Sequence, residues 1–168
     1  MNALHIAASG IVSVVLAVAI YTDIRYGKVY NKLVLPCMAI GLVMWCAGQG
    51  WGGFLFSAEG IAVAAIGLVA ALLGWLAPGD AKLLLAVGSL MGPHFAGCTV
   101  IFGALAGGVI ALAVVAKRHL LRPLASSAAV AYGAKLPFTT VWTDRAGYIP
   151  YSVPIAIGAA IAGAFPLW

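Results

Sequence analysis

Charged residues are scarce in this chain of 168 residues, and acidic residues are the scarcest: there are four, against nine Lys and Arg. Charged residues make up 8% of the sequence and hydrophobic residues 64%, and the mean hydropathy is +1.11. A soluble domain is about half apolar and about a quarter charged. The composition therefore excludes an ordinary soluble domain and predicts an integral membrane protein.

Cysteine is also scarce, and its placement excludes further classes of protein. Cys37, Cys46 and Cys98 all lie in apolar segments and form no CxxC pair, so neither a zinc site nor a disulfide framework is expected. The net charge of +5 is not read as a nucleic-acid-binding surface, because Lys and Arg of membrane proteins gather on the cytoplasmic side. We expect the lipid bilayer as a partner, and no nucleic acid and no metal.

The apolar residues form six segments, and a helix needs about 20 such residues to cross the bilayer. Their approximate ranges are 3–21, 33–48, 54–76, 81–90, 97–116 and 151–167. These segments predict an all-α bundle of about six transmembrane helices, in a single domain over residues 1–168. The stretch 117–149 is expected to be a cytoplasmic or interfacial loop.

The basic residues predict the orientation of these helices. All nine fall in the first, third and fifth connections: Arg25, Lys28, Lys32, Lys82, Lys117, Arg118, Arg122, Lys135 and Arg145. The positive-inside rule then places these connections in the cytoplasm and both termini outside. The N-terminus has no positive region, so the first segment is expected to be a retained span. Small residues at helical spacing, such as Gly103 and Gly107, indicate helix packing within the bundle or, as the less favoured alternative, a homodimer.

Two of the four acidic residues lie where a predicted span meets the cytoplasmic face. Asp23 follows the first apolar segment, and Asp80 opens the fourth. Each has an ordinary explanation, because Asp80 could cap a helix and Asp23 could pair with Arg25 or Lys28. Ionisable groups at membrane depth are nevertheless candidate functional residues. Two of them on one side and at matching depth favour a shared site.

Two neighbouring carboxyl groups do not both ionise readily, so one of them holds a proton. The charged group then activates a water molecule, and the neutral group donates to a carbonyl oxygen, as in aspartic proteases. This chemistry needs no metal or cofactor. Helix dipoles predict that Asp80, near a helix N-terminus, is mainly ionised and that Asp23, near a helix C-terminus, is mainly protonated.

Three motifs, in order, resemble those of the type IV prepilin peptidases, the membrane aspartic proteases with a GxGD signature. They are YTDIRYGKVYNKLV, APGDAKLL and YIPYSVPIAIGA. The small size and the last motif resemble the short tight-adherence (Flp pilus, CpaA/TadV) branch. The resemblance covers nearly the whole chain. The chain departs from the family pattern at two positions. Ala77 stands where the signature has its first Gly, and Tyr30 stands before Asn31 where the family has Pro.

The resemblance implies that Asp23 and Asp80 are the catalytic pair of a bacterial enzyme in the cytoplasmic membrane. The implied substrate is a prepilin, whose short basic leader is removed at the cytoplasmic face after a Gly. Larger members insert a cysteine-rich domain after the first span and also methylate the new N-terminus. Since no such insertion is present here, we expect cleavage without methylation.

Six further residues are candidates for support or substrate binding. Gly79 permits close backbone approach beside Asp80. Arg25 and Lys82 each follow an acid by two residues, which in a helix directs them away from the acids and toward lipid phosphates. If the backbone is not helical, Lys82 could instead tune Asp80. The remaining three match the motifs: Asn31, Pro150, which sets the entry to the last span, and Tyr151, which lines the substrate groove or anchors at the interface.

Two other functions remain open at this level. A transporter subunit could use the two acids to bind a cation or relay protons, although such sites tend to lie near the bilayer midplane. A non-catalytic pilus-assembly protein could keep the same fold.

Overall fold

A computed structural model describes residues 3–117 and 151–164 of the chain, and nearly all of them are helical. The helices are α1 (Ala3–Tyr26), α2 (Asn31–Ala64), α3 (Ile66–Leu72), α4 (Pro78–Lys117) and α5 (Ser152–Ala164). The expected all-α fold is therefore confirmed for these residues.

Three of the apolar helical stretches are long enough to cross a membrane. They are Ala3–Tyr26, Asn31–Leu72 and Pro78–Ala113, with mean hydropathies of 2.3, 2.1 and 2.1. Helix α5 is apolar but shorter. The lengths and compositions agree with the membrane protein predicted from the amino-acid content.

Helix α2 is interrupted at Gly50, which has φ 62° and ψ −138°. The rings of Trp45 and Phe56 lie on either side of this break, with their centroids 4.6 Å apart. Eleven residues of continuous helix would separate them by about 16 Å. The chain therefore turns back at Gly50, where a positive φ favours glycine.

Helix α4 is interrupted in the same way at Gly92, with φ 81° and ψ −178°. Gly60 of α2 lies against Gly88, before this break. Val63, one turn further along α2, instead lies beside Gly97: a methyl group added to Gly97 would be 3.6 Å from Val63 Cγ1. In a continuous helix residues 88 and 97 would be about 14 Å apart, yet their contacts on α2 are only one turn apart, so the two halves of α4 run in opposite directions.

The first half of α4 is the centre of the packed structure. Every residue from 83 to 92 is buried, and this run is apolar on all sides except at Ser89. A helix that is apolar all round is buried on all sides. Helix α2 packs against this first half through the Gly60–Gly88 backbone contact. Asp80 lies at the start of this central helix.

Small residues join the second half of α4 to α5. A methyl group on Gly103 would lie 3.5 Å from the Pro154 carbonyl oxygen, and one on Gly107 would lie 3.2 Å from the Tyr151 ring. Gly158 of α5 in turn packs against the Gly103 backbone. The prediction that Gly103 and Gly107 serve packing within the bundle is therefore confirmed.

Helix α1 is longer than the apolar segment that predicted it. The predicted apolar segment ends at Tyr21, but the helix continues to Tyr26. Gly27, with φ 63°, ends it and donates its amide proton to the Asp23 carbonyl oxygen at 2.8 Å, a common helix-terminating arrangement. Asp23 consequently lies inside the last turn of α1, and not beyond the helix.

Candidate active site

The structure brings Asp23 and Asp80 together. Asp23 comes from the last turn of α1 and Asp80 from the first turn of α4, and their side chains are only 1% and 2% exposed. The two carboxyl groups lie close enough for the charge on one to act on the other. The fold thus brings residues that are 57 positions apart in the sequence to neighbouring places.

Asp23 is held by the first residue of α5. The Ser152 hydroxyl donates to Asp23 Oδ2 at 2.6 Å, and the Ser152 amide donates to the same oxygen at 3.2 Å. Ser152 is itself fully buried. Sequence reasoning missed this residue. Its only signal was a polar side chain at the start of an apolar helix, directly after Tyr151.

Asp80 has an oxygen that makes no hydrogen bond to any residue that the structure describes. Among the described residues, Asp80 Oδ1 and Thr99 Oγ1 are the buried side-chain oxygens without a partner. Buried polar atoms are nearly always hydrogen-bonded, because leaving one unpaired costs about 1–3 kcal/mol. The carboxyl oxygen of Asp80 is therefore available to a water molecule or a substrate group.

The contact with Ser152 changes the comparison of the two acids. The prediction that Asp80 is the ionised partner considered only the helix to which each acid belongs. In the structure the N-terminus of α5 also points its first amide at Asp23. Asp23 therefore lies at the C-terminus of α1 and also at the N-terminus of α5, so the helix dipoles oppose each other there, and which acid is ionised stays a prediction.

The two basic residues that follow the acids point elsewhere. Arg25 is exposed, whereas Asp23, on the same helix, is buried. Lys82 Nζ donates to Asn31 Oδ1 at 3.1 Å and joins the starts of α4 and α2. The helix directs Lys82 away from Asp80, and the bond to Asn31 uses only one of the three donors of its ammonium group, so contact with lipid phosphates stays a prediction.

Gly79 provides the close approach that was expected of it. A methyl group at this position would lie 3.2 Å from Val29 Cβ and 3.4 Å from the Val29 carbonyl oxygen. The short connection between α1 and α2 therefore packs directly on the start of α4. This contact sets the spacing between the elements that carry the two acids.

The two departures from the family pattern both lie at helix starts. Tyr30 precedes α2 with φ −81°, close to the angle that a proline would impose there. Ala77 precedes α4, and its carbonyl oxygen accepts from the Asp80 and Ala81 amides at 3.0 and 3.2 Å. Pro78 then occupies the first helical position, which suits proline. Both helices thus begin normally despite the substitutions.

The remaining expected residues lie at the other end of the sequence. Tyr151 is half-buried, and its ring lies beside Gly107. Pro150 lies outside the described residues, as does the loop expected over 117–149, apart from Lys117, which ends α4. The described part of the chain contains no group of three or more His, Cys, Asp or Glu side chains that could hold a metal ion.

The chain thus has apolar helices long enough to cross a membrane and, between them, two buried carboxyl groups. These features define a membrane protein with a site built from two acidic residues. Residues 10–112, more than half of the chain, match the type IV leader peptidase family, and the chain belongs to that family. It is accordingly an aspartic-type prepilin peptidase, a hydrolase, from a bacterial family of membrane proteins. The matched residues include both acids and exclude Ser152. No curated protein and no solved structure matches the chain.

Proposed function

We propose that Asp23 and Asp80 are the catalytic pair, and that they hydrolyse the peptide bond between the basic leader and the mature part of a prepilin. One observation carries this proposal: two buried, interacting carboxyl groups, one with an oxygen that lacks a hydrogen-bond partner among the described residues. Such an arrangement is costly for a purely structural pair, because a buried acceptor without a donor loses its hydration.

The proposed reaction is metal-free hydrolysis. The ionised carboxylate accepts a proton from water as the water oxygen attacks the peptide carbonyl carbon, and the protonated carboxyl group donates its proton to the carbonyl oxygen. When the carbon–nitrogen bond breaks, the nitrogen takes up the proton that the first carboxyl group gained from water and leaves as the amine, while a hydroxyl group of the tetrahedral intermediate gives its proton to the other carboxylate. The leader is released with a new carboxyl terminus, and the pair returns to one shared proton.

We further propose a single transmembrane domain with six spans and both termini outside. The turns at Gly50 and Gly92 support this number, since each divides a long apolar helix into two antiparallel parts. The Lys82–Asn31 hydrogen bond supports the sidedness, because it places Lys82 at the same end of the bundle as the basic connection after α1. The positive-inside rule assigns that end, and with it the acid pair, to the cytoplasm.

The proposed substrate is a Flp-type prepilin of a tight-adherence system, cleaved without methylation. The resemblance of the YIPYSVPIAIGA motif to that branch supports this proposal. The connection between α1 and α2 is only residues 27–30, which leaves no room for the cysteine-rich domain of the larger members.

Co-expression with a Flp-type prepilin tests the proposed function. We expect Asp23→Asn and Asp80→Asn each to lower the rate of leader removal by about 100-fold or more, since a general acid or base contributes about 10²–10⁴-fold. Leader removal is followed by the mass of the pilin. Glu59→Gln is the matched control, because Glu59 is an exposed acid in α2. This variant is expected to cleave the prepilin at the wild-type rate.

Membrane insertion of each variant is checked by fractionation, so that a lost activity is not confused with a lost protein. Normal cleavage by either Asp variant at wild-type abundance would contradict the proposed catalytic pair. A transporter or a non-catalytic assembly protein would leave the prepilin uncleaved with the wild-type chain as well.

A further inference from the structure

Ser152 makes two hydrogen bonds to one oxygen of Asp23. The hydroxyl group lies 2.6 Å and the amide 3.2 Å from Oδ2. The hydroxyl distance is short, as is typical of an O–H donor facing a carboxylate. Both residues are buried, so water does not compete for these bonds.

The two bonds fix the carboxyl group in both position and orientation. The amide belongs to the backbone of α5, whose N-terminus is a favourable place for an anionic group. Two donors converging on Oδ2 hold the carboxyl plane against rotation.

We propose that Ser152 is a positioning residue for the reaction: its hydroxyl and amide groups hold Asp23 Oδ2 and so keep the carboxyl group in place for the proton exchange with water and Asp80. Helix α5 thereby contributes to the site although it carries neither acid. This inference rests on the proposed catalytic role of Asp23. It assigns a function to the start of the last helix, which lies beyond the residues that match the family.

Steady-state kinetics of the purified enzyme in detergent test this role, with the prepilin that the wild-type protein cleaves as the probe. Ser152→Ala removes the hydroxyl donor and keeps the amide. We expect kcat to fall roughly 10- to 100-fold with KM nearly unchanged, because a misplaced catalytic group costs up to about 10²-fold in rate. Ser152→Thr restores the hydroxyl and is expected to recover most of the lost kcat.

Two further variants separate positioning from packing. Ser152→Cys keeps the shape of the side chain, with sulfur in place of oxygen, but offers only a weak S–H donor. This variant is therefore expected to lower kcat nearly as much as Ser152→Ala. Ser57→Ala is the matched control: Ser57 is equally buried and donates to the Ser89 carbonyl oxygen at 2.8 Å, in a cluster without an acid. Its kcat per folded enzyme is expected to equal that of the wild type.

The outcomes distinguish this inference from the proposed function. If Asp23→Asn abolishes cleavage while Ser152→Ala and Ser152→Cys keep the wild-type kcat, the positioning role is wrong and the catalytic pair stands. If Asp23→Asn cleaves normally, the proposed function itself fails. A fall in kcat for Ser152→Ala that Ser152→Cys does not share would show that Ser152 only fills space.

Discussion

Two buried polar clusters lie at opposite ends of the first half of α4, and they are built differently. The carboxyl cluster consists of Asp23, Asp80 and Ser152, near the start of the helix. The serine cluster consists of Trp45, Ser57 and Ser89, about 13 Å further along. Both clusters are buried, and each joins α4 to neighbouring helices.

The serine cluster is fully hydrogen-bonded. Ser89 donates to the Met38 carbonyl oxygen at 2.8 Å, and Ser57 donates to the Ser89 carbonyl oxygen at 2.8 Å. Trp45 Nε1 donates to the Leu90 carbonyl oxygen, also at 2.8 Å. In the carboxyl cluster, by contrast, Asp80 Oδ1 accepts nothing from the described residues.

The difference separates a polar cluster that holds the fold from one that is available for chemistry. A satisfied buried network stabilises the packing of its helices, whereas an open acceptor is a cost that stability alone does not explain. Substitutions in the serine cluster should therefore change stability, and substitutions in the carboxyl cluster should change the rate of cleavage.

The largest effect on stability is expected from Gly60→Ala, beside the serine cluster. The added methyl group would meet the backbone of Gly88, which cannot move aside as a side chain could. The two helices would be forced apart, and we expect the free energy of unfolding to fall by about 3 kcal/mol or more. Chemical unfolding in detergent, followed by circular dichroism, measures this change.

Gly52→Ala is the control for that experiment. Gly52 lies in the same helix, but a methyl group there would meet nothing within 4 Å. Its stability should stay equal or rise by up to about 1 kcal/mol, the gain of alanine over glycine in a helix. Equal effects of the two substitutions on the free energy of unfolding would show that the Gly60–Gly88 backbone contact does not stabilise the packing of α2 on α4.

A smaller effect is expected from Ser89→Ala. This change removes the hydroxyl that donates to the half-buried Met38 carbonyl oxygen, and it leaves the Ser57 hydroxyl only the Ser89 carbonyl oxygen as a partner among the described residues. We expect a loss of about 1–2 kcal/mol in the free energy of unfolding. The rate of cleavage per folded enzyme should not change, and a selective loss of rate would erase the contrast between the two clusters.

The smallest effect is expected from Lys82→Met, which breaks the hydrogen bond to Asn31 at the rim of the carboxyl cluster. Asn31 is exposed, so water replaces the lost donor. We expect the free energy of unfolding to change by less than about 0.5 kcal/mol and the cleavage rate to change less than tenfold. A loss as large as that of Asp80→Asn would place Lys82 in the reaction.

Much of the arrangement could be predicted because membrane proteins reveal their helices through composition. The apolar segments located the helices to within a few residues, including the turns that the structure has at Gly50 and Gly92. The depth of Asp23 and Asp80 followed from the same segments. In lipid the backbone must satisfy its own hydrogen bonds, so a long apolar run has few conformations open to it.

What could not be predicted depends on side-chain direction across distant helices. Ser152 is 129 residues from Asp23, and no local spacing relates the two positions. The end of α1 was placed too early because hydropathy marks the edge of the apolar run, whereas Gly27 marks the end of the helix. The hydrogen bond from Lys82 to Asn31 likewise depends on the packing of α4 on α2, which the sequence alone does not reveal.

A double-mutant cycle on the two acids tests the central claim most directly. Cleavage rates are measured for Asp23→Asn, Asp80→Asn and the double variant, with a prepilin substrate in detergent. Groups that act as a unit are strongly non-additive. We predict that each single variant loses about 100-fold or more and that the double variant is no slower than the singles. Independent losses that multiply in the double variant, or a single variant that keeps the wild-type rate, would contradict the paired mechanism.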